Sequence, residues 1–344
     1  MKQSVAACRL QSGSGTLADT AGRGSGMGRC AMGLSFLRLA VVAAALWFAA
    51  PVAAQPEASI ATGPGQETLV LGRISDDPKQ HYEAMRPLLD YVVPRMRNVG
   101  IREGRILMAR DAQQMLSYLR RHRVDWLTET PAMAVAWRER ANAKVLLATE
   151  RGGGLTYRAV FFVRRDSGIR SIDELAGRSI AFQNPFSTSS YIAPASALLE
   201  AGLRLDLLLS PMDRPQSDSV GYVFARSEAN ISTWVHKRLV DAGAFANLDW
   251  NDLSRLPQSY RDDLVVIHET EPFPRAVEVV RPGMDPRVQA RLREVLLAAA
   301  DDPDAREPLL RFFGTSRFVP LDAEAEAALA RLAVGVHRVR EQLE

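Results

Sequence analysis

The chain has 344 residues, with 43 Lys and Arg against 40 Asp and Glu, and two cysteines. Five of those bases, one of the acids and both cysteines (Cys8 and Cys30) lie within residues 1–54, so the rest of the chain carries a net charge of −1 and no thiol. Beyond residue 54 this excludes a disulfide framework, a thiolate metal site and a cysteine nucleophile, and it removes the basic excess as an argument for nucleic acid.

Residues 27–54 place Arg29 and Arg38 ahead of an apolar stretch from Leu39 to Ala50, and Val52-Ala53-Ala54 then offers the small residues a signal peptidase reads. This predicts a cleavable export signal over 1–54, with Met27 or Met32 as the true start, and hence a periplasmic protein. The apolar run, about 12 residues, is short of the ~20 that span a bilayer, so no stable membrane insertion is expected after cleavage. QPEASIATGPGQ (55–66) reads as a flexible tail. What remains is long enough for two domains with separate cores.

From there strand and helix patterns alternate. ETLVLGRI (67–74) reads as a buried strand, and residues 81–96 as a helix ended by Pro94. GRILMAR (104–110) is a strand and residues 112–124 an amphipathic helix with Met115, Leu116 and Leu119 on its apolar side. DWLTETPAMAVAWRER (125–140) predicts a short strand, a turn and a helix with Pro131 in its first turn. KVLLATE (144–150) and TYRAVFFVRR (156–165) are strands, with Gly152-Gly153-Gly154 a turn at a lobe boundary. SIDELAG (171–177) is a capped turn, and RSIAFQ (178–183) a strand leading to a helix over 189–201. Further strands are expected at 221–226, in AGAFA, at 263–270 and at 275–282, with a helix over 229–241 and helices only from Pro286 onward. The pattern is α/β with a largely parallel sheet, and the strands near 156–165 and 263–270 are candidates for crossings between two lobes.

Three strand-to-helix turns are candidate binding sites, because ligands of α/β sheets gather beyond the carboxyl ends of strands, where early helix N–H groups lack partners. In NPFSTSSY (184–191) the hydroxyls of Ser187, Thr188, Ser189 and Ser190 precede a helix whose Pro194 belongs to its first turn. A plain cap needs one hydroxyl; four suit an anion or an oxygen-rich ligand. In DWLTETP, Thr128, Glu129 and Thr130 follow a strand, and Glu129 either caps the helix or accepts from a ligand O–H or N–H. In ARSEANISTW, Arg226, Glu228 and Asn230 form a third turn, where Asn230 also reads as a cap. Nucleophile elbow, Walker loop, HExxH and GxGxxG are absent, and His81, His122, His236, His268 and His337 lack metal-ligand spacing. No enzyme activity, metal or cofactor is expected. His268-Glu269 reads as a hinge or cap.

The run RRDSGIRSIDELAGRSIAFQNPFSTSSYIAPASALLEAG resembles the PhnD-like phosphate/phosphite/phosphonate-binding periplasmic proteins, with their D-S-x-I turn, D-L-x-G segment and N/D-P-x-S-T-S-G-Y before a proline-containing helix. GRISDDP, RPLLDYV, RVDW and RLVDAGAF also have counterparts there, so the resemblance covers about 67–320. It implies a type II periplasmic binding fold: two α/β lobes, 67–155 plus 266–344 and 156–265, joined by two crossover strands around a ligand cleft. It implies that Ser187, Thr188 and Ser189 are the oxyanion-binding STS, with Ser190 in place of the usual glycine. Thr128-Glu129-Thr130 match a first-lobe loop that contacts ligand, and Glu228 lies where phosphonate binders carry a histidine. Ala246 stands where aminophosphonate binders carry an acid, which counts against an aminoalkylphosphonate; the lack of cysteine counts against arsenite sensing. Because Glu129 and Glu228 would repel a dianion, the favoured ligand is a partly protonated or neutral oxyacid, or a zwitterion. The function this implies is capture of a small oxyanion for an ABC importer, whose permease is the partner. The alternative is the sensing component of a two-component system, with a periplasmic sensor-kinase domain as partner.

Overall fold

The computed structural model describes residues 67–343; the export signal and tail predicted over 1–66 lie outside them. The strands in chain order are β1 (Thr68–Ile74), β2 (Glu103–Ala109), β3 (Trp126–Glu129), β4 (Lys144–Arg151), β5 (Thr156–Tyr157), β6 (Ala159–Arg164) and β7 (Ser179–Phe182). Then follow β8 (Arg204–Leu207), β9 (Ser219–Phe224), β10 (Ala242–Ala246), β11 (Leu264–Glu269), β12 (Phe273–Pro274), β13 (Ala276–Val280) and β14 (Thr315–Val319). They form two six-stranded sheets, ordered β14-β4-β13-β3-β1-β2 and β11-β6-β10-β7-β9-β8, and a small two-stranded one of β5 and β12.

Each large sheet is mixed rather than largely parallel. β1 runs parallel to β2 and β3, and β7 parallel to β9 and β10. β13 is antiparallel to β3 and β4, and β6 to β10 and β11. The antiparallel pairs arise where the chain leaves one sheet and returns to it from the other. The first crossing, β5, falls inside the predicted 156–165 segment. The second is β12, beyond the predicted 263–270 strand, because β11 stays paired with β6 through Glu269. The crossings pair with each other, Phe273 opposite Tyr157. The turn before β5 uses positive φ at Gly152 and Gly153, a region glycine enters without steric cost. Three strands went unseen in the sequence: β8, a four-residue edge, the two-residue β12, and β14, which interrupts the C-terminal stretch read as all helix.

Helices cover the sheets as the apolar spacing dictates. α1 (Pro78–Val92) starts at Asp77, whose carboxylate accepts from Gln80 N, and gives way at Val93, one residue before Pro94, to a 3₁₀ segment closed by Gly100 in the left-handed region. α2 (Ala112–Arg120) is capped by Asp111 and buries Met115, Leu116 and Leu119. α3 (Pro131–Ala141) opens on a proline, cheap there because the first N–H has no internal partner. One π-type turn, Thr188–Ile192, precedes α4 (Ala193–Glu200), and Ser227 caps α5 (Glu228–His236).

The last helix, Ala323–Leu343, buries Leu329, Leu332, Val336 and Val339 on one stripe, each worth about 1.5–3 kcal/mol relative to exposure. It packs on α3 beside the first sheet and on α4 beside the second. Its residues share one apolar cluster with Ala132 and Val135 of α3 and with Phe182 and Leu198 of the second lobe. Arg281 just after β13 donates to Asp125 at 2.7 Å, and Asp125 also accepts from Val70 N at 2.8 Å. The Asp of the RVDW run thus holds β1 to the end of β13 rather than facing the cleft.

Candidate functional site

Between the two large sheets lies a cleft of about 570 Å³. It is lined from strand ends: Arg73 and Ile74 close β1 and Glu129 closes β3 on one side, while Ser187 after β7 and Phe224 closing β9 face them. This is the crevice beyond carboxyl ends of parallel strands where such sheets bind ligands. Met133, Phe186 and Phe224 supply apolar wall.

The first-lobe side is charged and buried. Glu129 is 6 % exposed, and the buried indole N–H of Trp137 and the Thr130 N–H stand behind its carboxylate. Burial pushes the Glu129 carboxyl up to about 7, against the pull of the neighbouring Arg73 guanidinium. Arg73 is half-buried, stacks its guanidinium 4.4 Å from the centre of the Phe313 ring, and leaves Nε without a partner. Burial lowers its pKa, and Glu129, Glu278 and Asp76 resist that shift.

Behind this pair a saturated network fills the sheet. Glu278 on β13 is fully buried and accepts from Trp126 Nε1 (2.6 Å), Thr128 Oγ1 (2.9 Å) and Thr149 Oγ1 (2.8 Å). Arg151 Nη2 lies 3.5 Å from the same carboxylate and donates to Thr128 Oγ1. Burial lowers the Arg151 pKa to about 9; Glu278 opposes this, and the positive charges of Arg73 and Arg275 add to it. Arg275, at the second crossing, stacks 4.8 Å over Tyr157 and has an unpartnered Nε. Three guanidinium groups therefore sit with two carboxylates, Glu129 and Glu278, while Asp76 faces Arg73 and Asp249 faces Arg275.

The hydroxyl motif divides its labour. Ser187 lines the cleft and caps its helix, accepting from Ser190 N at 3.1 Å. Thr188 is buried, and its Oγ1 accepts from Ala132 N at 3.0 Å, one of the N–H groups that the start of α3 leaves without an internal partner. Ser189 is buried beside Tyr157, whose hydroxyl it and Thr188 engage. Ser190 is buried with its Oγ unpartnered. Thr130 lines the cleft and donates to Phe186 O at 3.3 Å, so Thr130 and Thr188 both link the lobes.

The third turn is different. Glu228 accepts from Arg255 Nη1 at 2.8 Å, and Asn230 donates from Nδ2 to Ala225 O at 2.8 Å while its N–H meets the capping Ser227. Neither lines the cleft, and both have local partners that account for them. Arg226 does line it, with a positive φ and its N–H on Gln183 O. Ala246, at the end of β10, is buried. Of the predicted residues, the structure gathers Glu129, Thr130 and Ser187 at the cleft, buries Thr188, Ser189 and Ser190 beside it, and turns Glu228 and Asn230 to other contacts. Sequence reasoning missed Arg73, Arg151, Arg275 and Glu278. A signal for Arg73 and Glu278 was available: a single charge inside an apolar strand (LVLGRI, AVEVV) needs a buried partner or a ligand.

Comparison with known proteins places this geometry in a family. A family profile described as the periplasmic substrate-binding protein of a phosphonate ABC transporter matches residues 72–325. XAC2383 from Xanthomonas citri bound to chloride is 52% identical over 80% of this chain and 100% of that one, with a TM-score of 0.78. The same protein bound to ATP is 51% identical over 81% and 100%, with a TM-score of 0.77. PhnD1 from Prochlorococcus marinus in complex with methylphosphonate shares the fold at 16% identity, over 79% and 99% of the two chains, with a TM-score of 0.59.

Proposed function

This chain belongs to the family of periplasmic substrate-binding proteins of phosphonate ABC transporters, and on that premise we propose that it captures a small phosphate-, phosphite- or phosphonate-like oxyanion and delivers it to a membrane permease. The observation that carries this reading is the meeting, across one cleft, of the Ser187 turn with Arg73 and its unpartnered Nε. Hydroxyls, helix N–H groups and a guanidinium are donors of the kind that bind oxyanions. XAC2383 has been seen with two anions, chloride and ATP, which supports an anionic ligand here. The volume of the cleft and its Phe186 and Phe224 wall leave room for an organic substituent on that oxyanion. The chain carries out no chemistry in this reading; it binds, and a cleavable export signal over residues 1–54 brings it to the periplasm.

The test is a thermal-shift screen of phosphate, phosphite, methylphosphonate and aminoethylphosphonate. A true ligand at ~100 times its dissociation constant stabilises by about 2.7 kcal/mol. Silence across the whole oxyanion set, with a shift from an uncharged solute instead, sinks the reading.

A further inference from the structure

We propose that Arg73 and Glu129 determine specificity in the cleft: Arg73 takes an ionised oxygen of the ligand, and Glu129 shares a proton with a second oxygen, so the preferred ligand is a tetrahedral oxyacid carrying a hydroxyl beside its charged oxygen. This rests on the oxyanion reading above and names the form of the oxyanion.

Both groups line the cleft, Arg73 with its buried Nε unpartnered and Glu129 with Trp137 and the Thr130 N–H behind its carboxylate. A guanidinium only donates, so its natural complement is an anionic oxygen. An ionised carboxylate only accepts, so a ligand oxygen that meets Glu129 has to bring a proton with it. The charges facing Glu129 agree. Arg73 from β1 and Arg151 from β4 are positive, and Glu278 from β13 is negative. Asp76 and His81 flank Arg73, and Arg226 lines the cavity from the other lobe. Glu228 does not take this role, because Arg255 already occupies it. A fully ionised ligand is accepted only when Glu129 itself brings the proton, and burial makes that possible near neutrality.

The experiment is titration calorimetry on the purified protein with inorganic phosphate, methylphosphonate and sulfate as probes. At neutral pH wild type should favour phosphate or methylphosphonate over sulfate by at least about tenfold, the scale of one charge-assisted hydrogen bond. Its affinity for sulfate should rise as pH falls through about 7, where Glu129 takes up its proton. Glu129→Gln, whose amide both donates and accepts, should erase the preference and flatten the pH dependence. Arg73→Gln should weaken all three probes by about tenfold or more, and Arg73→Lys, which preserves the charge, should recover part of the loss. Unchanged phosphate-over-sulfate selectivity in Glu129→Gln overturns the proposal while leaving oxyanion capture standing. Unchanged affinity in Arg73→Gln overturns it too. If wild type binds none of the three probes, oxyanion capture fails and this inference falls with it.

Discussion

Replacing Glu129 by Gln should stabilise the ligand-free protein at alkaline pH and have little effect of that kind at acid pH. In the fold the Glu129 carboxyl is pushed from its ordinary 4.5 up to about 7 by burial. Between those values the unfolded chain has released its proton and the folded chain still holds one, so stability falls as pH rises across that window and levels off above about 7. A gap of roughly 2.5 units at 1.36 kcal/mol each gives about 3 kcal/mol. Glutamine keeps the shape and never ionises, so the variant escapes this loss. Urea denaturation in phosphate-free buffer at about pH 4.5 and about pH 8 measures it. The variant-minus-wild-type difference should grow by about 3 kcal/mol between the two, a rise of about 2 °C or more in midpoint temperature per kcal/mol for a chain of this size. A difference that is the same at both pH values refutes the burial argument, because only titration of Glu129 makes it change.

Other substitutions probe the frame around the cleft. Asp125→Ala leaves Arg281 buried without its carboxylate and should cost about 3–5 kcal/mol in chemical denaturation; Asp125→Asn should cost less. Thr188→Val keeps the volume but removes the acceptor for Ala132 N, at about 1–3 kcal/mol; faster hydrogen exchange at the Ala132 amide reports it directly. Gly243→Ala places a Cβ 2.6 Å from Ile231 Cγ2 and 2.7 Å from Phe162 Cζ, and should lower the melting temperature by overpacking worth about 1–3 kcal/mol.

Much of the architecture was written in local patterns. The strand-to-helix switches at Glu129-Thr130 and at 183–188 show in the sequence because hydrophobic periodicity changes there and hydroxyls or proline mark the caps. β14 does not show, because TSRFV is short and its partner β4 is over 160 residues earlier. The mixed character of the sheets was likewise invisible: direction depends on which strand the chain returns beside, and β13 returns antiparallel only because β5 and β12 have carried it across and back. At the site, Glu129, Thr130 and Ser187 were legible from their position after strands. Glu228 stood in an equivalent place, yet its carboxylate goes to Arg255, a residue 27 positions later that no local pattern connects to it. Arg73 is the opposite case: a lone charge in an apolar strand marks it as needing a partner, but which partner appears only when Glu129 and the Ser187 turn are brought to the same cleft.

The last helix gives the cleft a mechanical property. Its packing on α3 is reinforced by ion pairs from Arg138 to Glu326 and from Arg340 to Glu139. On the α4 side it sits so close that a Cβ at Gly335 would come 2.7 Å from Ser196 Oγ, and Arg338 reaches Ser196 and Glu200. Rotation of the lobes about β5 and β12 therefore has to slide or unseat this helix on one of them. Prying the mouth apart and loosening the rear clamp thus become a single motion.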